Sequence, residues 1–213
     1  MKSMTAMNAR RKQAGFTIIE LVVVILLLGI LAATALPRFM DVTDEAHAAV
    51  VDAITGGMVT GNALFRAQWV AEGQPLTTKV SEFNMFAHTS GYPKGVNQGI
   101  AGDLLAATAC VDIYNNLLQT GRPAAVSLTP TDATALPTEA EIETATAPAG
   151  VAVNADVIAV LTGPALATST ECSYIYVGQF RNGTVANPAT LPVIEYDFST
   201  GEITRSTKVL NTN

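Results

Sequence analysis

The first strong pattern along the chain is an unbroken apolar block that follows a basic and polar start. Residues 16–36 read FTIIELVVVILLLGILAATAL and carry a single charge, at Glu20. A helix of that length is sufficient to cross a bilayer. The positive-inside bias predicts a cytoplasmic amino end and an exported remainder, because basic residues precede the block and acidic residues follow it. These are Lys2, Arg10, Arg11 and Lys12 before the block, and Asp41, Asp44 and Glu45 after it.

The helical pattern continues beyond the apolar block. Apolar residues recur at helical spacing as far as Trp69, and the sequence EGQP at 72–75 stops the pattern. We therefore predict one helix from residue 16 to about residue 71, about 80 Å long. Gly29 and Pro37 mark the stretch where this helix can bend, since proline removes a backbone donor and crowds the preceding turn.

Small residues recur every four positions in the second half of this helix, at Ala53, Gly57 and Gly61. Each glycine costs about 1 kcal/mol relative to alanine inside a helix, so a structural return is expected. The simplest return is close approach by a sheet or a neighbouring helix. The alternative is a helix that frays or breaks near Gly56 and Gly57.

The exported part, residues 72–213, begins with short and irregular segments. The sequence GYPKG at 91–95 indicates a loop, and a second helix is predicted over 104–119, capped by Asp103 and ended by Gly121. Residues 129–150 consist mainly of Thr, Ala, Pro and Glu without an apolar period. We expect that stretch to be a surface loop outside the core.

Four strands are predicted in the carboxy-terminal part, over 151–161, 172–180, 192–198 and 203–209, with turns at Asn182-Gly183 and Thr200-Gly201. A two-residue loop at the last turn would place Phe198 opposite Ile203. The same face would carry Ile194, Tyr196 and Val209. We expect it to pack on the helix over 46–69, which gives an α+β fold with a long amino-terminal helix against an antiparallel sheet.

Charge and cysteine content narrow the classes of partner. The formal net charge is -6, and loss of the four basic residues within 1–15 would make it -10. A chain with this net negative charge is not expected to bind nucleic acids generically, because it offers no positive field for the phosphate backbone. Cys110 and Cys172 are the only cysteines and match no metal-binding spacing. In an oxidising compartment we expect them to form a disulfide joining the second helix to the sheet, the alternative being two free buried thiols.

Catalytic chemistry has little support in the sequence. It contains no nucleophile elbow, HExxH, glycine-rich phosphate loop or EF-hand pattern, so we expect no enzymatic activity, cofactor or metal. His47 lies among acidic residues and is predicted to be a solvated side chain rather than a metal ligand. Glu195 and Asp197 alternate along a strand and are predicted to occupy a solvated face.

Glu20 is the residue that calls for a function. A carboxylate inside an apolar helix is costly, and such residues usually have a partner, although Glu20 can also lie in the headgroup zone. A competing interpretation is a secretory signal peptide, since Ala33-Thr34-Ala35 resembles a cleavage site. The apolar run, however, is longer than a usual signal-peptide core and contains an acid.

The run GFTIIE from Gly15 to Glu20, followed by the apolar block and Pro37, resembles the prepilin signature of type IV pilins and type II secretion pseudopilins. The resemblance covers about a quarter of the chain. It implies a prepilin peptidase that cuts after Gly15 and methylates the new amine of Phe16. It also implies that Phe16 and Glu20 of neighbouring subunits meet in the filament, and that the helix melts between Gly29 and Pro37 on assembly.

The resemblance divides the chain into a leader (1–15), a transmembrane and polymerisation segment (16–36), an amphipathic continuation (37–71) and an exported head (72–213). It implies a homopolymeric pilus for adhesion or motility, built by an inner-membrane platform and an assembly ATPase. The precursor would lie in the inner membrane and the product outside the cell. A pseudopilin of a periplasmic filament and a minor or tip pilin are the alternatives. Tyr92, Pro93 and the helix around Cys110 resemble pilins of the mannose-sensitive haemagglutinin type.

Overall fold

A computed structural model of the chain describes residues 15–96, 107–118, 120–129, 137–138, 141–142, 155–162, 171–178 and 190–209, with the backbone alone at 37–44 and 107. The chain divides into two compact units, Met1–Glu45 and Ala46–Asn213. The fold is α+β, with a long amino-terminal helix and a carboxy-terminal sheet, as predicted. In chain order the elements are α1 (Ile18–Ala71), β1 (Phe86–Ala87), β2 (Pro93–Gly95), α2 (Ala107–Leu117), β3 (Ala125–Leu128), β4 (Val157–Thr162), β5 (Glu171–Tyr176), β6 (Thr190–Asp197) and β7 (Glu202–Val209).

Two stretches of α1 are long and apolar enough to cross a membrane, judged by length and composition alone. The first, Ile18–Leu36, lies in the first unit and has no buried residue. The second, Glu45–Ala71, is partly buried, which is usual for the core helix of a folded domain. The apolar side chains are thus exposed in the first stretch, whereas those of the second stretch are partly packed in the core.

The end of α1 follows the predicted sequence signals. The chain leaves the helix at Gly73 and Gln74, which adopt φ values of 82° and 63°. The Gln74 N–H donates to the Trp69 carbonyl at 2.9 Å, and the Trp69 indole N–H donates to the Pro75 carbonyl, also at 2.9 Å. The buried indole therefore fastens the chain reversal to the last turn of the helix.

The glycines inside α1 mark a close approach of α2, as the four-residue spacing predicted. A Cβ atom on Gly61 would lie 2.4 Å from the Leu117 carbonyl oxygen, and one on Gly57 would lie 2.6 Å from Leu118 Cδ2. Helix α1 is continuous through this region, so the alternative of a break near Gly56 and Gly57 is wrong. Glycine has a low helix propensity, but its lack of a side chain allows the backbones of the two helices to come into contact.

The main sheet has the strand order β3-β4-β5-β6-β7. Strands β4 to β7 pair antiparallel in sequence order, which confirms the four predicted strands and their antiparallel arrangement. Strand β3 was not predicted, and it pairs parallel with β4, so the sheet is mixed. The loop predicted at 91–95 is wrong in part, because β2 lies there and pairs with β1.

The predicted register of the last hairpin is wrong by two residues. Ile203 lies opposite Tyr196, not opposite Phe198. The turn starts earlier because the Asp197 carboxylate accepts hydrogen bonds from the Ser199 N–H at 2.7 Å and from its hydroxyl at 2.6 Å. A shift of two residues leaves every side chain on its predicted face. The buried face was therefore assigned correctly from the wrong loop length.

The larger hydrophobic core joins the second half of α1, α2 and one face of the sheet, as expected. Among its buried members are Val51, Ile54, Met58, Phe65, Trp69, Ile113, Tyr114, Tyr174, Tyr196 and Phe198. Val209 was expected on this face as part of the core, but it is 57% exposed at the end of the edge strand. Cys110 and Cys172 are fully buried and form a disulfide with a Cα to Cα distance of 5.6 Å, so the predicted link between α2 and the sheet is confirmed.

A second core covers the other face of the sheet and was not expected. It contains Ile142 and buried side chains of β4, β5 and β6, namely Ile158, Val160, Ile175, Leu191 and Val193. The prediction that 129–150 lies outside the core is thus wrong for Ile142. That residue follows a capping box. The Thr138 hydroxyl accepts from the Glu141 N–H at 3.3 Å, and the Glu141 carboxylate accepts from the Thr138 N–H at 2.7 Å.

The predicted cap at Asp103 and the turn at Asn182-Gly183 lie outside the described residues.

Candidate processing and assembly site

The first described residues form a short non-helical lead into α1. Residues 15–17 are not helical, and the helix begins at Ile18. Gly15 has no atom within 4 Å of where a Cβ would stand, and the Phe16 side chain is 89% exposed. The Gly15-Phe16 peptide bond therefore lies in a non-helical segment next to an exposed side chain.

Glu20 makes its hydrogen bonds to its own chain. Its Oε2 atom accepts from the Thr17 N–H at 3.1 Å and from the Thr17 hydroxyl at 3.0 Å. The Thr17 hydroxyl in turn accepts from the Glu20 N–H at 3.2 Å. This is a capping box, in which the first and fourth residues of the motif satisfy free backbone donors at a helix start. Sequence analysis missed the role of Thr17, although the spacing Thr-x-x-Glu before an apolar run is its usual signal.

The side chains that follow Glu20 offer a continuous apolar surface. Every described side chain from Ile18 to Leu36 is exposed except Ala35, which is half-buried. So much exposed apolar surface requires lipid or protein to cover it. Gly29 lies in open space on this helix. Pro37 falls within the continuous span of α1, and its side chain is outside the described residues, so bending or melting between Gly29 and Pro37 stays a prediction.

The second unit brings two predicted polar groups into less solvated surroundings than expected. His47, predicted to be solvated, is half-buried, and its Nδ1 lies 2.8 Å from the Tyr176 hydroxyl. Glu195 is partly buried, accepts from the Ser206 hydroxyl at 3.1 Å and pairs with Lys208. The sheet face that carries Glu195 also carries the second core, which explains why it is not simply solvated.

Three acidic side chains lie side by side at one end of the sheet, since Glu171 is opposite Asp197 and Asp197 is opposite Glu202. Burial, and after it the Glu195 carboxylate, raise the pKa of Glu171. Burial opposes ionisation of Asp197 as well, but hydrogen bonds from Ser199 and Thr200 outweigh it and lower its pKa. Within the described ranges, no group of three or more His, Cys, Asp or Glu residues could hold a metal ion.

One cavity of about 330 Å³ opens between the second half of α1 and the turn that follows α2. Its lining is mainly apolar, from Val50, Ala53, Ile54, Leu118, Gly121, Arg122 and Pro123. The Arg122 Nε–H donates to the Asn115 side-chain oxygen at 3.0 Å, so its guanidinium is engaged at the rim. The lining offers no constellation of groups for catalysis.

Comparison with known proteins identifies the amino-terminal pattern. The family model of the prokaryotic N-terminal methylation motif matches residues 10–36. The chain carries a prepilin-type amino terminus. The matched span includes the Gly15-Phe16 bond, the capping box of Thr17 and Glu20, and the exposed apolar segment, so the motif and the geometry fall on the same residues.

Two curated relatives extend this result. The chain is 43% identical over 77 residues to the type IV narrow pilus major component PilA5 of Thermus thermophilus, which covers 36% of this chain and 65% of that protein. It is 51% identical over 41 residues to the type II secretion system core protein G of Pseudomonas aeruginosa, which covers 19% of this chain and 29% of that protein. The chain thus spans from under a third to just under two thirds of these relatives. No solved structure matches it.

Proposed function

We propose that the chain is the precursor of a filament subunit of the type IV pilin class. In this proposal a prepilin peptidase cuts after Gly15 and methylates the amine of Phe16. The segment 16–36 then holds the subunit in the inner membrane and later joins it to identical subunits. The observation that carries the proposal is the methylation motif over 10–36. This motif coincides with an uncovered apolar helix that begins at Ile18, the third residue after the proposed cut.

The chemistry of the amino end supports assembly through charge matching. Cleavage would create an ammonium group at Phe16, and Glu20 supplies a carboxylate four residues later. In an apolar surrounding either charge alone is costly, and a correctly staggered neighbour would neutralise both. The pair would therefore select the register of the subunits more than it would strengthen the filament.

The filament would form at an inner-membrane platform driven by an assembly ATPase, and the helix would bend or melt between Gly29 and Pro37 as subunits pack. The mature product would lie outside the cell, carry a formal net charge of -10, and perform neither catalysis nor generic nucleic-acid binding. The resemblance to pilins of the mannose-sensitive haemagglutinin type stays a prediction, as do the boundaries between the four segments.

A second candidate function is that of a pseudopilin in a periplasmic secretion filament. The match to the secretion core protein G favours it, because the identity is 51% in that match and 43% in the match to the pilus component. The longer match to a major pilus component favours a surface pilus. Sheared surface fibres rich in this chain would support the pilus, and fibres that lack it would support the pseudopilin. A trace amount would indicate a minor or tip pilin.

The deciding experiment combines intact mass and amino-terminal sequencing of the product. A start at N-methylated Phe16 is expected, whereas a start at Leu36 would mean ordinary secretion after a signal peptide and would overturn the proposal.

The Glu20→Ala variant tests the role of the carboxylate. We expect normal processing after Gly15 and strongly reduced filament yield, because the neighbour's ammonium loses its partner. Immunoblots of the membrane and sheared fractions measure both. Normal fibre yield in this variant would refute the register argument while leaving the processing proposal intact.

A further inference from the structure

The two oxygens of the Glu20 carboxylate are used differently. Both hydrogen bonds from Thr17 end on Oε2, at 3.0 and 3.1 Å. Within the part of the chain that the structure describes, Oε1 accepts no hydrogen bond. A glutamate on a helix surface normally samples several rotamers, and two donors on one oxygen hold this side chain back over the start of α1. The free oxygen is thereby kept at the amino end of the helix.

We propose that Thr17 is a positioning residue for Glu20, holding Oε2 at the helix start and presenting Oε1 to the amino group of a neighbouring subunit. This inference rests on the proposed function, because it requires that subunits pack so that one chain's ammonium reaches another chain's carboxylate. Thr17 itself does not contact the neighbour in this arrangement.

Two physical effects follow from the arrangement. A side chain that is already held loses less conformational freedom when the neighbour arrives, so more of the ion-pair energy is available for assembly. The Thr17 donors also stabilise the ionised form in a surrounding where an unpaired carboxylate is costly. Loss of the hydroxyl would leave the Thr17 N–H as the one remaining donor to Oε2 and so weaken both effects, and neither effect needs the methyl group of threonine.

The alternative is that Thr17 only caps the helix. Capping uses the hydroxyl as an acceptor for the Glu20 N–H, which is 3.2 Å away. Replacement of a capping threonine by glycine costs only a few tenths of a kcal/mol of helix stability. Replacement by alanine, which has an aliphatic side chain, costs about 1 kcal/mol. Glycine therefore separates the two roles, because it largely keeps the helix start and the backbone N–H but removes the hydroxyl donor.

The test uses tagged Thr17→Ser, Thr17→Gly and Thr17→Val chains, each produced at low level in cells that also make the untagged wild type. The measured quantity is the ratio of processed tagged chain in sheared filaments to processed tagged chain in the membrane. Normalising to processed chain removes any change in cleavage at Gly15. Valine matches threonine in shape and serine retains the hydroxyl, so the set isolates the donor.

We expect Thr17→Ser to incorporate like the wild type. Thr17→Gly and Thr17→Val should both fall about tenfold, which corresponds to one hydrogen bond to a charged group. Wild-type incorporation of Thr17→Gly would overturn the inference in favour of simple capping, and wild-type incorporation of Thr17→Val would remove any role for the hydroxyl. Absence of wild-type chain from every filament would instead refute the proposed function, and the inference with it.

Discussion

Two glycines five residues apart in α1 have opposite surroundings, and this difference yields a quantitative prediction. Gly56 is exposed, with nothing within 4 Å of where its Cβ would stand. Gly61 is buried, and its Cβ would lie 2.4 Å from the Leu117 carbonyl oxygen and 3.1 Å from the Leu117 carbonyl carbon and Cβ. Alanine at the two positions should therefore have effects of opposite sign on stability.

The magnitudes follow from two separate contributions. Alanine favours a helix interior over glycine by about 1 kcal/mol at either position. Gly56→Ala should realise that gain, which raises the melting temperature by about 2 to 4 °C for a domain of this size. At Gly61 the added methyl meets backbone of α2, and overpacking of this kind costs about 1 to 3 kcal/mol. The obstacle is backbone, and Cys110 bonds α2 to β5, so the helix cannot easily withdraw.

Gly57→Ala provides an internal calibration. Its Cβ would meet Leu118 Cδ2 at 2.6 Å, the far end of a flexible side chain that can change rotamer. Its melting temperature should fall between those of Gly56→Ala and Gly61→Ala.

The assay is thermal unfolding of the detergent-solubilised chain, followed by fluorescence of Trp69, which is the only tryptophan and is 5% exposed. We expect the Gly61→Ala midpoint to lie at least about 2 °C below that of Gly56→Ala, since the two variants differ by the overpacking cost alone. Equal increases in both variants would show that α2 does not approach α1 through Gly61 and would refute the packing argument. Equal decreases would show that α1 is not helical at Gly56.

Two further predictions concern the disulfide and the acidic end of the sheet. Cys110→Ala should lower the free energy of unfolding by about 4 kcal/mol in the chain-entropy model, because the bridge spans a sequence separation of 62. Limited proteolysis without reductant should therefore become faster than for the wild type. Unchanged digestion would contradict this prediction. Glu171→Gln should raise the melting temperature at pH 7, since the raised pKa of Glu171 means that its charged form destabilises the fold. The benefit should disappear below about pH 4, where the carboxyl is protonated in both folded and unfolded chains, and a benefit that persisted there would contradict the argument.

The features predicted correctly from the sequence depend on long or repeated signals. Helix α1 has a sustained period and ends at a Gly-containing stop, so its limits were predictable to within a few residues. The four carboxy-terminal strands are bounded by turn residues and loops. The pairing of Cys110 and Cys172 followed from the absence of any other cysteine. In each case one local pattern was sufficient without knowledge of distant contacts.

Three of the errors arise where distant contacts decide. Strand β3 has four residues and gains its strand form by pairing with β4, which no local pattern encodes. Ile142 is one apolar residue in a polar stretch, and burial against the far face of the sheet decides its role. His47 was predicted from its acidic neighbours in sequence, whereas Tyr176, which lies 129 positions away, determines its contact.

Thr17 is a different case, because its signal was local and was overlooked. The cost of a carboxylate inside an apolar helix indicates an external partner for Glu20 and says nothing of Thr17. The capping box supplies a partner three residues away and accounts for one oxygen of the carboxylate. The other oxygen remains available for the assembly role, so the two explanations are complementary.

The positions of these features separate the consequences of mutation into two groups. Gly61, Cys110 and Glu171 belong to the second unit, where their contacts are made within one packed core or one sheet, and they should change its stability without changing processing at Gly15. Thr17 and Glu20 belong to the first unit, where no core exists among the described residues and the apolar side chains are uncovered. Changes there should leave the melting temperature of the second unit unaltered while reducing assembly. A Thr17→Val chain that melts like the wild type but fails to enter filaments would therefore place its defect in assembly and not in folding.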